Sequence, residues 1–231
     1  MRLAAHQPQY LPWLGYFDKM SRVDLFVLIN TVLYKKNEWQ NRNRIRTSTG
    51  WQWLTVPVHY RFPMRIDAVR IDDSSDWRRK HKEALRLAYS RAPHRDATLQ
   101  PLSELIDRPV ETLARLNIES VRLLADLLGV RTPMVIASTL EGVPEGADAR
   151  LINLCRRFNC STYLAGRGAQ AYMDLDAWKD AGVTVEFQEF HHPVYPQGYP
   201  GFEANLSAVD LLMQCGPGAG QVLRHRPAEA A

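Results

Sequence analysis

The sequence predicts an α/β fold with a mainly parallel sheet, flanking helices and a helical insertion at about 76–128. Three observations predict it. Short strand-like runs recur along the chain, and outside 76–128 they alternate with stretches of helical period. The run from Asp24 to Ile29 is almost continuously apolar, the pattern of a strand covered on both faces. Between 76 and 128 two helical patterns follow each other with no strand between them.

The elements follow in order. Leu3–Ala5 is a short buried strand, and Pro8 and Pro12 make the stretch after it a loop. Trp13 to Met20 forms a helix, and Asp24–Ile29 a second strand, so the N-terminus reads as a βαβ unit. Its ligand crevice lies at the strand C-termini. Trp51 to Pro57 is a further strand, with Trp51, Trp53 and Thr55 on one face. Asp76 caps a helix running through Tyr89, and a second long helix covers about 109–128, stopped by Gly129. Strands at 133–137, 162–165 and 183–190 alternate with helices at 149–158 and 170–181. Ser207 and Asp210 read as the capping box of a last short helix. Residues 1–215 form one domain with the 76–128 cap. The Gly-, Pro- and Ala-rich segment 216–231 is expected to fray.

The chain has 231 residues, 45% hydrophobic and 23% charged, as in ordinary folded proteins. No apolar run approaches the roughly 18 residues of a membrane span, and the start carries no secretion-type apolar core. A cytoplasmic location is expected. Cys155, Cys160 and Cys215 have no metal-ligand spacing and read as reduced thiols, with Cys155 on the apolar stripe of its helix. Net charge is +4, but segment 35–46 alone carries +4 and segment 77–95 carries +6. Two basic clusters on a mildly acidic body point to an anionic small-molecule ligand, a nucleotide or sugar nucleotide, or to RNA.

Three constellations carry candidate chemistry. His6 ends the first strand and is followed by Gln7, Tyr10 and Tyr16 in and after a proline-stiffened loop. A histidine there suits acid/base work or phosphate contact. Lys35, Lys36, Trp39, Gln40, Asn41, Arg42 and Arg44 follow the second strand. They fit no helical or strand period and supply phosphate clamps, hydrogen-bonding amides and a stacking ring. His192, Tyr195 and Gln197 follow the last strand, held by Pro193 and Pro196. A weaker fourth signal is the Gly166-Arg167-Gly168 turn with Tyr172. His6, Tyr10 and His192 are the catalytic candidates, and the remainder are substrate-binding candidates. The expectation is that His6 and the 35–44 stretch converge on one hollow. No metal cluster, Walker loop or dinucleotide fingerprint is present in the sequence; a nucleotide is the candidate cofactor.

These residues resemble the WbqC-like family. The resemblance rests on His6-Gln-Pro-x-Tyr10-Leu-Pro12-Trp-x-Gly15-Tyr-Phe17, Tyr34-x-Lys36 through Trp39-x-Asn41-Arg42-Asn43, Trp53-Leu-Thr-Val-Pro57, the Tyr163–Tyr172 stretch, His192-Pro-x-Tyr195-x-Gln197 and the 206–212 pattern. It implies a role in surface-polysaccharide or natural-product biosynthesis. That role is transferase-like, moving an acyl or aminoacyl group to an amine or amino-sugar with a nucleotide-linked substrate. A non-catalytic accessory protein binding a nucleotide-sugar or RNA is the alternative. The family leads one to expect acidic residues after the second strand, where this chain has Asn30-Thr31. By analogy alone, the order strand, His-bearing loop, helix, strand is similar to nucleotidyltransferase-like (HUP-like) folds.

Overall fold

The computed structural model describes residues 1–225. β1 (Arg2–His6) leads through the proline loop into α1 (Leu14–Ser21) and β2 (Leu25–Leu28). Two hairpins follow, β3 (Arg42–Thr47) with β4 (Gly50–Thr55), and β5 (Val58–His59) with β6 (Arg70–Ile71). Then come α2 (Trp77–Ala88), α3 (Arg95–Asp107) and α4 (Leu113–Leu127). The alternation resumes with β7 (Met134–Ile136), α5 (Ala147–Arg157), β8 (Thr162–Ala165), α6 (Leu175–Asp180) and β9 (Thr184–Phe187). It ends in α7 (Ala208–Cys215) and α8 (Ala219–Arg224).

Five strands form one sheet in the order β7-β2-β1-β8-β9, and every pairing is parallel. The chain leaves β1 on one side through β2 and β7, then fills the other side with β8 and β9. The strand order therefore reverses between β1 and β8, the point where open α/β sheets open a crevice at their C-terminal edge. Period-two alternation in the central strands feeds two cores. Ala4, Phe26 and Leu28 join a core built with α1, α2, α3, α4, α7 and α8. Leu3, Ala5, Leu25 and Val27 join a core with Leu154 and Cys155 of α5 and Trp178 of α6. Both faces are covered, which explains the unbroken apolar run of β2.

Six readings are corrected. Arg42–Thr47 is a strand, not an aperiodic loop, paired antiparallel with β4. Its inward positions are Asn43 and Ile45, so a buried amide hid the alternation. α3 fills the gap before 109 despite Pro101, which removes one internal hydrogen bond. Its buried face of Thr98, Leu102, Leu105 and Ile106 holds it in place. The expected helix at 170–181 is a 3₁₀ turn, Arg167–Ala171, then the short α6 capped by Asp174. Asp76 makes no side-chain cap. Asp210 closes no capping box: it is fully buried in the first turn of α7, the Ser207 N–H donates to the Arg44 carbonyl instead, and burial lifts the Asp210 carboxyl to about 6. Residues 216–224 hold a 3₁₀ turn and α8, with Ala219 and Leu223 in the core, and 226–231 lie outside the described residues. Gly129 and Gly182 end α4 and α6 at φ of +65° and +70°.

Among the described residues no helix is long and apolar enough to cross a membrane.

Candidate functional site

The site begins with a loop that the rest of the protein holds by its backbone. Leu11 sits at φ +45°, costly for a residue with a side chain. Its N–H donates to Ser120 Oγ (2.9 Å), and Asn43 Nδ2 donates to its carbonyl (2.7 Å). Asn117 Nδ2 donates to the carbonyls of Pro8 (3.0 Å) and Gln40 (2.7 Å). Gly15 is required because Trp13 folds its ring over it: a Cβ there would lie 2.2 Å from the indole. That close approach is by the protein's own side chain.

Two hollows open at the C-terminal ends of β1 and β8, with volumes of about 490 and 390 Å³. Both are lined by His6, Lys19, Gly166 and Gly168. The larger adds Gln7, Asp148, Arg150 and Tyr172, and the smaller adds Trp13, Tyr16, Arg167 and His192. His6 Nδ1 lies 3.1 Å from the Gln7 carbonyl. A carbonyl only accepts, so Nδ1 carries the proton and Nε2 keeps its lone pair. Burial, then the neighbouring Lys19 charge, lowers the imidazole from 6.5 to about 4, so it is neutral at pH 7. Tyr16 packs its ring 4.8 Å from the imidazole and donates its hydroxyl to the Gln7 carbonyl at 3.3 Å.

Lys19 is buried, and its Nζ donates to the Ala5 carbonyl at 3.1 Å. Burial lowers its amine from 10.5 to about 8. Its neighbour Asp18 pairs with Arg22 and accepts from Gln188 Nε2 at 2.7 Å. The Lys19 charge therefore stays available to an anion. Asp148 is held at the other wall by Trp178 Nε1 (2.8 Å) and the Asp174 N–H (3.2 Å). Arg167 is exposed at the rim of the smaller hollow.

The expected site residues fall into three groups. His6, Gln7, Tyr16, Gly166, Tyr172 and His192 line the hollows. His192 donates Nδ1–H to the Pro193 carbonyl at 2.8 Å, and burial lowers its imidazole. A second group is structural. Tyr10, expected to be catalytic, is sealed in the core with its hydroxyl 3.0 Å from His81 Nδ1. Asn41 donates to the Val56 carbonyl (2.9 Å), and Gln197 bridges to both the N–H and carbonyl of Glu203. Tyr195 is buried beside Phe202. The third group, Lys35, Lys36, Trp39, Arg42 and Arg44, lines neither hollow. Because 42–47 is a strand, Arg42 and Arg44 lie on the outer face of a hairpin, while Arg46 is buried on the carbonyls of Thr47, Gly50 and Pro200. The stretch meets the site at two points: Gln40 Nε2 to Gln7 Oε1 (2.5 Å), and Arg44 to the carbonyl of Asn205, which lines the smaller hollow (3.3 Å).

Lys19, Asp148 and Arg150 escape sequence reasoning. Lys19 lies in an eight-residue helix buried from Leu14 to Met20, and a lysine inside such an apolar turn was the signal. Asn30, where acidic residues were expected, is buried and bonded both ways to Ser138 (2.9 and 3.0 Å). The Cys155 thiol is pushed up to about 12 by burial, which suits packing. Among the described residues no group of three or more His, Cys, Asp or Glu is placed to hold a metal ion.

The chain is 33% identical over 228 residues to the uncharacterized protein Rv1507c of Mycobacterium tuberculosis (strain ATCC 25618 / H37Rv), covering 97% of this chain and 98% of that one. No solved structure matches it. A model of the WbqC-like protein family matches residues 7–222, from the glutamine after His6 into α8, and the chain belongs to that family.

Proposed function

We propose that the protein is a transferase that moves an acyl or aminoacyl group from a nucleotide-linked donor to an amine or amino-sugar, in surface-polysaccharide or natural-product biosynthesis. One observation carries this reading: a neutral imidazole with an unengaged Nε2 and a buried ammonium, His6 and Lys19, line the same hollow at the sheet's switch point. The strand order and the histidine at the end of β1 also support the likeness to nucleotidyltransferase-like folds.

The chemistry follows from those two groups. The acceptor amine attacks the acyl carbon, forming C–N as the C–O bond to the phosphate-bearing leaving group breaks. His6 Nε2 takes the proton that the amine loses. Lys19, with Arg167 and Arg150 at the rims, faces the negative charge that builds on the acyl oxygen and the departing phosphate. Gln7, held by Gln40, and Tyr172 orient the substrate.

A thermal-shift panel of nucleotides, sugar nucleotides and non-hydrolysable acyl-nucleotide analogues tests this reading. A true ligand at about 100 times its Kd stabilises the fold by about 2.7 kcal/mol, a rise of several degrees. K19M abolishes the rise. H6A retains it but loses about 10²–10⁴-fold in turnover. A folded H6A protein with full turnover removes His6 from the mechanism, and a panel with no hit removes the nucleotide-linked donor.

The RNA alternative had its best support in the basic stretch 78–95, most of which lies on α2. Arg78, Lys82 and Arg86 there are paired with Asp73, Asp107 and Glu83, and Arg79 with Asp76. Those pairs leave the helix little net field, so α2 no longer favours an RNA partner.

A further inference from the structure

The outer face of the β3–β4 hairpin carries cations of a different kind. Trp51 and Trp53 are 41% and 36% exposed there. The Trp39 ring lies 5.4 Å from Trp53, and Trp51 lies 5.6 Å from it on its own strand. Arg44, directly across from Trp53 in the pairing, has its guanidinium 4.9 Å from Trp51, 5.5 Å from Trp39 and 5.9 Å from Trp53. Arg42 lies over Trp53 at 4.2 Å. Their hydrogen bonds go to backbone carbonyls, of Asn37 and Asn205. Among the described residues neither makes an ion pair with a carboxylate, in contrast to the arginines of α2. Lys35 and Lys36 are exposed just before the hairpin.

This chemistry selects its occupant. A guanidinium over an indole is held in place by the ring and keeps N–H donors at its outer edge for an anion. A neutral sugar stacks on an uncovered ring, and here a guanidinium lies over Trp53. An acidic helix would pair with the cations but make no use of three clustered indoles. Phosphates spaced along a strand, with planar bases between them, use both.

We propose that this face binds single-stranded nucleic acid, with phosphates on Arg42, Arg44 and the two lysines and bases stacked on the indoles. Arg44 touches Asn205, so a strand lying on the hairpin ends at the mouth of the smaller hollow. The inference rests on the hairpin alone and stands whatever chemistry the hollow performs.

The test is a titration of the full chain with a short, labelled single-stranded RNA, reading anisotropy and indole fluorescence. Binding is expected to quench the indoles and to weaken steeply as salt rises. R42Q/R44Q lowers affinity about tenfold and reduces the slope of log affinity against log salt by about 1.4, two single-strand phosphate contacts. R42K/R44K, which keeps both charges, retains the salt slope but loses affinity through stacking, and it serves if the glutamine variant does not fold. W51A/W53A loses the quench and about tenfold in affinity at unchanged slope. Three outcomes overturn the proposal: no RNA binding at low salt, binding that R42Q/R44Q and R42K/R44K leave untouched, or polyglutamate competing as strongly as RNA. The last would assign the face to an acidic protein. None of these outcomes moves the nucleotide thermal shift, so the two readings fail separately.

Discussion

His6 and Lys19 line the same hollow, and burial drives both toward their neutral forms. The imidazole falls to about 4 and the amine to about 8, each mainly by burial, with the Lys19 charge also weighing on His6. Between those limits the pair is a neutral base beside a cation, the state that deprotonates an amine and holds an anion. Affinity for an anionic ligand is therefore expected to stay level from about pH 5 to 7. It then falls as pH rises through about 8, where Lys19 loses its charge. K19R, whose charge persists, moves that limb out of range. Calorimetric titration of the anionic ligand between pH 5 and 9 checks this, and a limb near 6.5 would show His6 to be solvated. His6 was legible in the sequence because it ends a strand and opens a loop. Lys19 was not, because a lysine on a short amphipathic helix reads as solvated until the helix is found buried on every side.

At the scale of elements, the loop between β1 and α1 is shaped from outside by amides on β3 and α4. Asn43, Gln40, Asn41 and the basic residues around them read together as a ligand-binding stretch. The structure spends three of the amides on backbone carbonyls or on Gln7. An amide that reads a ligand and one that clamps a loop have the same letter and the same polarity. Only the partner distinguishes them, and that partner is distant in sequence. Asn117 is the test case, because its Nδ2 serves Pro8 and Gln40 together across the site. N117L leaves two buried carbonyls unsatisfied and is expected to cost about 3 kcal/mol. It also frees the loop that follows His6 and carries Gln7, so anion affinity should fall by more than unfolding of the variant accounts for. Urea unfolding and ligand titration on one preparation separate the two, and a stability loss with unchanged affinity would mean that the loop holds its shape unaided.

Across the whole molecule, alternation made the five parallel strands legible, and the 76–128 insertion was legible as strandless helix. β3, α3 and the C-terminal helix were not: a buried amide hid the alternation of β3, and α3 and α8 are held by burial against distant residues that local pattern does not contain. α8 shows the size of that effect. Its segment opens on Gly216-Pro217-Gly218 and carries Gly220, residues that disfavour a helix, yet Leu223 is 4% exposed in the core shared by α1, α4 and α7. Gly220 lies so close to the Leu128 carbonyl that a Cβ would come within 2.3 Å of it. Because that core joins sheet and insertion without a break, both are expected to unfold in one transition. L223A empties a leucine-sized volume there and should cost about 3 kcal/mol, lowering Tm by about 6–12 °C in a chain of this size. If the tail contributed nothing, L223A would melt with the parent. If α8 formed a separate layer, calorimetry of the variant would show a second, earlier transition instead of one shifted peak.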